Sequence, residues 1–115
     1  MEKNVEVSML MNIYGKLLTE KQYEFLDNYY NSDLSLSEIA ENFGITRQAA
    51  RDNIKKGENK LFEFEEKLQI MKRMLQQEKK IGSILSELTK LQSDSSDKQV
   101  QKVLNHIREE LSCLV

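Results

Sequence analysis

The chain has 115 residues, of which 31% are charged and 39% hydrophobic, and it contains no proline and no tryptophan. This composition is typical of a soluble, mostly helical protein, and the length allows one small domain with an extension. A net charge of −2 and a pI of about 5.5 argue against a dedicated, strongly basic nucleic-acid binder. No apolar run approaches the ~18 residues of a membrane span, and the N-terminus lacks a signal-peptide core, so we expect a cytoplasmic protein.

The first two helices are expected over residues 4–17 and 20–31. Thr19 and Gln22 have the spacing of a capping box, which predicts the start of the second helix. The core side of the first helix is predicted from an apolar stripe, with Leu10 and Tyr14 flanking it: Val5, Met9, Ile13 and Leu17. The second helix has a thick aromatic face: Tyr23, Phe25, Leu26, Tyr29 and Tyr30. We expect this face to pack on the next helices rather than to stack on bases, because buried aromatic rings dominate small cores.

Residues 35–57 predict a helix-turn-helix. Ser35 and Glu38 form a second capping box at the start of its first helix. Gly44 follows the last apolar residue of that helix, where a chain leaving a helix often needs a positive φ. Thr46 has the position of an N-cap for the next helix. That helix has a buried side at helical spacing: Ala49, Ala50, Ile54, Gly57 and Leu61.

The opposite side of the second helix carries the candidate site. A major groove admits one α-helix, whose N-terminal Arg and Gln side chains can pair with base edges. The candidate base-reading residues are Arg47, Gln48 and Arg51, and the candidate phosphate contacts are Thr46, Lys55 and Lys56. Residues 47–60 hold five Lys or Arg against two Asp or Glu, a balance of +3, so unassisted affinity should be weak and salt-sensitive. Asp52 opposes phosphate binding, and a helical hairpin with a solvated charged face is the alternative interpretation.

The C-terminal part carries further apolar stripes. The first predicts one long helix over residues 47–77, because its members alternate steps of three and four: Leu61, Phe64, Leu68, Met71 and Leu75. The next stripe shifts register and contains Gly82, where we expect a bend or a break. Residues 93–97 predict a turn, with Ser96 or Asp97 capping a final amphipathic helix. Cys113 is near the end of that helix and is expected to be a small core residue.

These elements predict an all-α fold in two parts. Residues 1–68 form a helical domain around the helix-turn-helix, and residues 69–115 form a C-terminal helical extension. The extension has more apolar surface than the N-terminal domain needs, so it either folds back or pairs with a second chain. We favour a homodimer, because two-fold dimers are the commonest assembly and nucleic-acid readers often use one.

No residue pattern indicates catalysis or metal binding. His106 is the single histidine and is expected to be solvated, and no Cys/His cluster has zinc spacing. The four glycines are isolated rather than gathered in a phosphate-binding loop. Glu63, Glu65 and Glu66, with Lys67 nearby, predict a solvated face. We therefore expect no enzyme activity, no cofactor and no metal.

Three segments resemble region 4 of bacterial sigma factors, the part that reads the −35 promoter element. They are LTEKQ at residues 18–22, LSLSEIA at 34–40 and GITRQAA at 44–50, and the resemblance extends over about residues 18–68. Nearly the whole chain more closely resembles the YlxM family of small helix-turn-helix proteins, typically encoded beside the signal recognition particle GTPase. The resemblance implies an accessory or regulatory role in that particle's pathway, with its RNA or its GTPase as a partner.

Two other functions stay open beside this expectation. One is a sequence-specific DNA-binding transcriptional regulator related to sigma region 4. We do not expect a complete sigma factor, because these 115 residues leave no room for the region that melts the −10 element. The other is a helical dimer that keeps the helix-turn-helix only as architecture, since a fold does not fix a function. The residues alone do not choose between DNA, RNA and protein partners.

Overall fold

The computed structural model describes residues 1–94 and 96–114. Its helices are α1 (Lys3–Tyr14), α2 (Glu20–Leu26), α3 (Leu36–Phe43), α4 (Arg47–Leu68), α5 (Ile70–Asp94) and α6 (Lys98–Ser112), with a 3-10 turn at Gly15–Leu17 and a π-helical turn at Asp27–Asn31. The described residues contain no strand, which confirms the all-α fold. They divide into two compact units, Met1–Met71 and Lys72–Val115. Within residues 1–94 and 96–114, no helix combines the length and apolarity needed to cross a bilayer.

In the first unit, α1, α2 and α3 pack around α4. The largest fully buried side chains are Val7, Leu10, Tyr14, Phe25, Leu26, Ile39 and Leu61. The predicted core stripe of α1 is wrong at its two ends, because Val5 is 50% exposed and Leu17 is 60% exposed, whereas the flanking Leu10 and Tyr14 are buried as predicted. The helix buries a different row: Val7, Leu10, Met11 and Tyr14. Both rows fit helical spacing, so packing on the other helices decides which one lies inside.

The predicted helix starts are confirmed. Thr19 and Ser35 each form the expected capping box. The hydroxyl accepts a hydrogen bond from the backbone N–H of Gln22 or Glu38, three residues later, and the side chain of that residue accepts one from the backbone N–H of the Thr or Ser. Thr46 Oγ1 accepts from the N–H three residues on at 3.0 Å. Asp97 caps α6 by accepting from the N–H two residues on at 2.9 Å. Local hydrogen bonds therefore define these helix starts in the way the sequence predicts.

The aromatic face of α2 is only partly buried. Phe25 is buried, and its ring stacks on Phe43 of α3 with 4.3 Å between centroids. Tyr23 and Tyr29 are instead 39% and 37% exposed. The expectation of packing is therefore confirmed for Phe25 and wrong for the two exposed tyrosines.

A close contact joins α2 to α4 at Gly57. A Cβ added there would lie 2.9 Å from Leu26 Cδ1, a distance that a packed core does not allow without movement. Leu26 is fully buried. Gly57 is therefore on the buried side of α4 as predicted, and its close neighbour is α2.

The predicted long helix over residues 47–77 is wrong. α4 ends at Leu68, and Gln69 takes a left-handed φ of 55° before α5 begins. Leu68 is 43% exposed, so the predicted apolar seam is not continuous. A left-handed residue ends an α-helix because it turns the backbone out of the helical path.

Side chains from distant positions bind the first N–H groups of α5. The Ile70 N–H donates to the Tyr14 hydroxyl at 3.2 Å, and the Met71 N–H donates to Glu65 Oε1 at 3.0 Å. The Tyr14 hydroxyl itself donates to Glu65 Oε1 at 2.7 Å. Glu65 therefore belongs to a part-buried cap rather than to the solvated face predicted for it. Because Tyr14 is 56 residues from Ile70, no local pattern reveals this helix start.

In the second unit, α5 runs without interruption through Gly82, so the predicted break is wrong. Mid-helix glycine costs about 1 kcal/mol relative to alanine, and this cost does not interrupt a helix of 25 residues. The predicted turn at 93–97 is shorter than expected, because Ser93 and Asp94 belong to α5. Ser95 lies outside the described residues.

The second unit exposes many apolar side chains. Ile81 and Leu88 are buried, whereas a larger set is exposed: Met74, Ile84, Leu91, Val100, Val103, Ile107 and Leu114. Cys113 is also exposed, so its predicted core position is wrong, and His106 is exposed as predicted. Pairing of these helices with a second chain stays a prediction, which light scattering tests against the chain mass of 13.5 kDa.

Candidate nucleic-acid interface

The helix-turn-helix is built from α3, a tight turn and α4. Ile39 and Ala40 of α3 are buried, and this helix packs on α4. Gly44 has φ 64°, the left-handed conformation predicted for it. The N–H groups of Gly44 and Ile45 both return to the Ala40 carbonyl, the second at 3.0 Å. Three residues therefore join α3 to α4, and the last of them, Thr46, is the N-cap of α4.

All the predicted contact residues are exposed: Thr46, Arg47, Gln48, Arg51, Lys55 and Lys56. The other side of α4 buries Ala50, Ile54 and Leu61 in the core. The structure thus brings the six residues together on one solvent-facing side of a helix that its core contacts hold in place. Thr46 differs from the others, because its oxygen already accepts the cap hydrogen bond and only its hydroxyl proton remains to donate.

Two rows of side chains run along this outer face. Residues four apart are neighbours on a helix surface. The first row is cationic throughout: Arg47, Arg51 and Lys55. The second row is mixed: Gln48, Asp52 and Lys56. We call these the cationic row and the mixed row.

Asp52 weakens the mixed row as a binding surface. Gln48 Nε2 donates to Asp52 Oδ1 at 3.0 Å, so the amide proposed to read a base is held by a carboxylate in the free protein. A base must compete with this bond or use the other hydrogen-bonding groups of the amide. The cationic row is therefore the stronger candidate for contact with a polyanion.

α3 contributes no positive charge to the surface. It carries Glu38 and Glu41, both exposed, and no basic residue. Glu38 Oε1 accepts from the Ser35 N–H at 3.2 Å, so one of these carboxylates is engaged in the capping box. In helix-turn-helix proteins the first helix crosses the phosphate backbone. Here that helix is acidic, so within the helix-turn-helix all the basic side chains belong to α4.

Sequence reasoning missed a polar cluster on the inner side of α4. Glu58 is only 7% exposed, accepts a hydrogen bond from the Tyr30 hydroxyl and pairs with Lys3 Nζ at 3.2 Å. Burial, and then the bond to Glu58, raise the pKa of Tyr30 above its ordinary value, which favours the protonated form that donates to Glu58. The sequence does contain a signal for the burial of Glu58, because Glu58 has the helical spacing of Ile54 and Leu61 on the buried side of α4.

The described residues contain no cluster of His, Cys, Asp and Glu that could hold a metal ion. The chemistry that the exposed face of α4 offers is hydrogen bonding and charge. Arg side chains pair with guanine edges or phosphates, and Lys side chains contact phosphates.

Comparison with known proteins gives one family over nearly the whole chain. Residues 1–112 match UPF0122, described as a helix-turn-helix protein, YlxM / p13 like. A UPF0122 protein of Acetivibrio thermocellus is 39% identical over 115 residues, covering 100% of this chain and 98% of the relative. One of Clostridium kluyveri is 42% identical over 107 residues, covering 93% and 96%. One of Fusobacterium nucleatum is 39% identical over 107 residues, covering 93% and 97%. The chain therefore belongs to the UPF0122 family of YlxM / p13 like helix-turn-helix proteins.

Proposed function

We propose that this chain is a non-enzymatic accessory factor of the signal recognition particle pathway that binds nucleic acid through the outer face of α4. The observation that carries the proposal is the exposed cationic row of Arg47, Arg51 and Lys55 on the second helix of a helix-turn-helix. Membership of the YlxM-like family supports the choice of pathway, because the resemblance implies a role beside the particle's GTPase. The particle RNA is the first candidate ligand and the GTPase is the second, both in the cytoplasm.

The charge of this face sets an expected affinity. Asp52 on this face opposes the binding of phosphate. The face also carries four cations: Arg47, Arg51, Lys55 and Lys56. With about four phosphate contacts, the affinity for duplex nucleic acid should fall on the order of 100-fold between 50 and 200 mM salt. Binding should therefore be weak and salt-dependent, as suits an accessory factor held near its site by a second contact. A homodimer through α5 and α6 would supply that contact, because two linked weak sites bind more tightly than one.

A second function, sequence-specific DNA binding as a transcriptional regulator, is favoured by a separate observation. Arg47, Gln48 and Arg51 occupy the first turns of α4, the part of a helix-turn-helix that meets base edges in a major groove. Arg–guanine and Gln–adenine pairs are the common specific contacts. The bond from Gln48 to Asp52 weighs against this function, since it occupies the reading amide.

Titration of the purified chain against labelled particle RNA and against random duplex DNA, each at two salt concentrations, separates these functions. We expect preferential binding of the RNA, with an affinity that falls as salt rises. Enrichment of one duplex sequence would favour the regulator instead. Binding to neither nucleic acid would contradict both and direct the next titration to the GTPase.

A further inference from the structure

A cleft of about 370 Å³ opens beside Arg51 and Lys55 of the cationic row. Residues from α1, the π-helical turn, α3 and α4 complete its walls: Lys3, Asn4, Tyr29, Tyr30, Leu36, Ile54 and Glu58. Volumes of roughly 300–1,000 Å³ are typical of small-ligand sites. The cleft brings together two aromatic rings, three cations and the apolar side chains of Leu36 and Ile54, and its one carboxylate, Glu58, is engaged by Lys3 and the Tyr30 hydroxyl. This is the mixture of groups that holds an unstacked base and its phosphates.

The two tyrosines of the cleft have different roles. The Tyr30 hydroxyl donates to Glu58, which fixes its ring. Tyr29 meets that ring at 89° with 5.0 Å between centroids, an edge-to-face pair, and is 37% exposed. Part of the Tyr29 ring therefore remains open to the cleft, and the part-buried ring of Tyr30 packs against it.

The backbone that carries both tyrosines departs from an α-helix. Asp27–Asn31 is a π-helical turn, closed by a bond from the Ser32 N–H to the Asp27 carbonyl at 3.1 Å, five residues back. Such turns are rare and frequently occur at functional sites.

The cations at the rim are available to an anion. Arg51 and Lys55 are exposed, and neither forms an ion pair with a carboxylate among the described residues. Lys3 pairs with Glu58 at 3.2 Å through a side chain that is 63% exposed. Two of the three cations are therefore free to bind phosphate on either side of an inserted base.

We propose that this cleft receives an unpaired nucleotide of RNA, with its base stacked on Tyr29 and its phosphates on Arg51 and Lys55. The inference rests on the proposed function and deepens it by naming the feature of the RNA that is recognised. An A-form duplex hides its major groove from side chains, so sequence-specific RNA binding targets loops and bulges. The cleft lies next to the cationic row, so one RNA can reach both.

A pair of hairpin RNAs tests the inference. One hairpin carries a single bulged nucleotide and the other is fully paired. Both have the same stem and therefore the same number of stem phosphates. Fluorescence anisotropy measures both affinities, and 2-aminopurine at the bulge reports stacking by loss of its fluorescence. We expect the bulged RNA to bind about tenfold more tightly than the paired RNA, since stacking on one aromatic ring is worth that much or more.

Substitutions at Tyr29 identify the ring responsible. Y29L should remove the preference for the bulged RNA and leave binding of the paired RNA unchanged within about twofold. Y29F should keep the preference, because stacking needs the ring and not the hydroxyl. Y23L changes a tyrosine of similar exposure, 39%, that does not line the cleft, and should behave as the parent chain.

The outcomes separate the two proposals. If the parent chain binds bulged and paired RNA equally, or if Y29L keeps the full preference while it folds like Y29F, the cleft is not a nucleotide site and the proposed function stands. If the parent chain binds neither RNA, the proposed function and this inference both fail.

Discussion

The variant R47A/R51A should bind particle RNA at least about 30-fold more weakly than the parent chain. Each residue belongs to the cationic row, and each phosphate or base contact of this kind is worth about 1–3 kcal/mol when the partner remains in place. The slope of log affinity against log salt should also become less steep by about two. Because both side chains are exposed, the free energy of unfolding should change by no more than about 0.5 kcal/mol. Anisotropy titrations and thermal denaturation measure these quantities.

The matched control for this variant removes the same charge elsewhere. K79A/K80A neutralises two exposed lysines of α5, which do not lie on α4. We expect it to bind within about twofold of the parent at moderate salt, since neither lysine belongs to the proposed contact face. Equal losses in the two variants would mean that affinity follows net charge alone, and parental binding by R47A/R51A would remove α4 as the site.

The variant E58A should lower the free energy of unfolding by about 2–3 kcal/mol. Glu58 is 7% exposed, and its removal leaves a cavity and takes the acceptor from the part-buried Tyr30 hydroxyl. Its ion pair with Lys3 adds little, because the Lys3 side chain is 63% exposed and solvated. Chemical denaturation followed by circular dichroism gives the value.

E63A is the matched control on the same helix. The Glu63 side chain is 50% exposed and forms surface ion pairs with Lys60 at 3.9 Å and Lys67 at 3.6 Å. Such pairs contribute about 0–1 kcal/mol, so E63A should be nearly as stable as the parent. Similar small losses for both variants would show that the cluster around Glu58 does not hold α1 and the π-helical turn to α4.

The features that the sequence predicts well depend on neighbouring residues. The capping boxes at Thr19 and Ser35 and the left-handed turn at Gly44 each need only a few adjacent residues, and each is present. The exposed side of α4 follows in the same way, because burial of Ala50 and Ile54 fixes which face remains outside. The sequence alone therefore predicts that the candidate contact residues lie on one exposed surface.

The features that the sequence misses depend on contacts between distant residues. α4 ends at Leu68 where Tyr14 and Glu65 bind the first N–H groups of the next helix. The row that α1 buries is chosen by packing rather than by spacing, since Val5 and Val7 both belong to stripes with helical periodicity. The π-helical turn, and with it the cleft beside the cationic row, has no recognised local signature.

A site-specific photo-crosslink tests most directly the claim that the outer face of α4 holds the particle RNA. A photoreactive residue replaces Gln48 in one preparation and Gln77, an exposed glutamine of α5, in another. After irradiation with labelled particle RNA, we expect a crosslinked product from position 48 and none from position 77. An excess of random duplex DNA should not remove it. No product at position 48, or equal products at both positions, would contradict the assignment of this face.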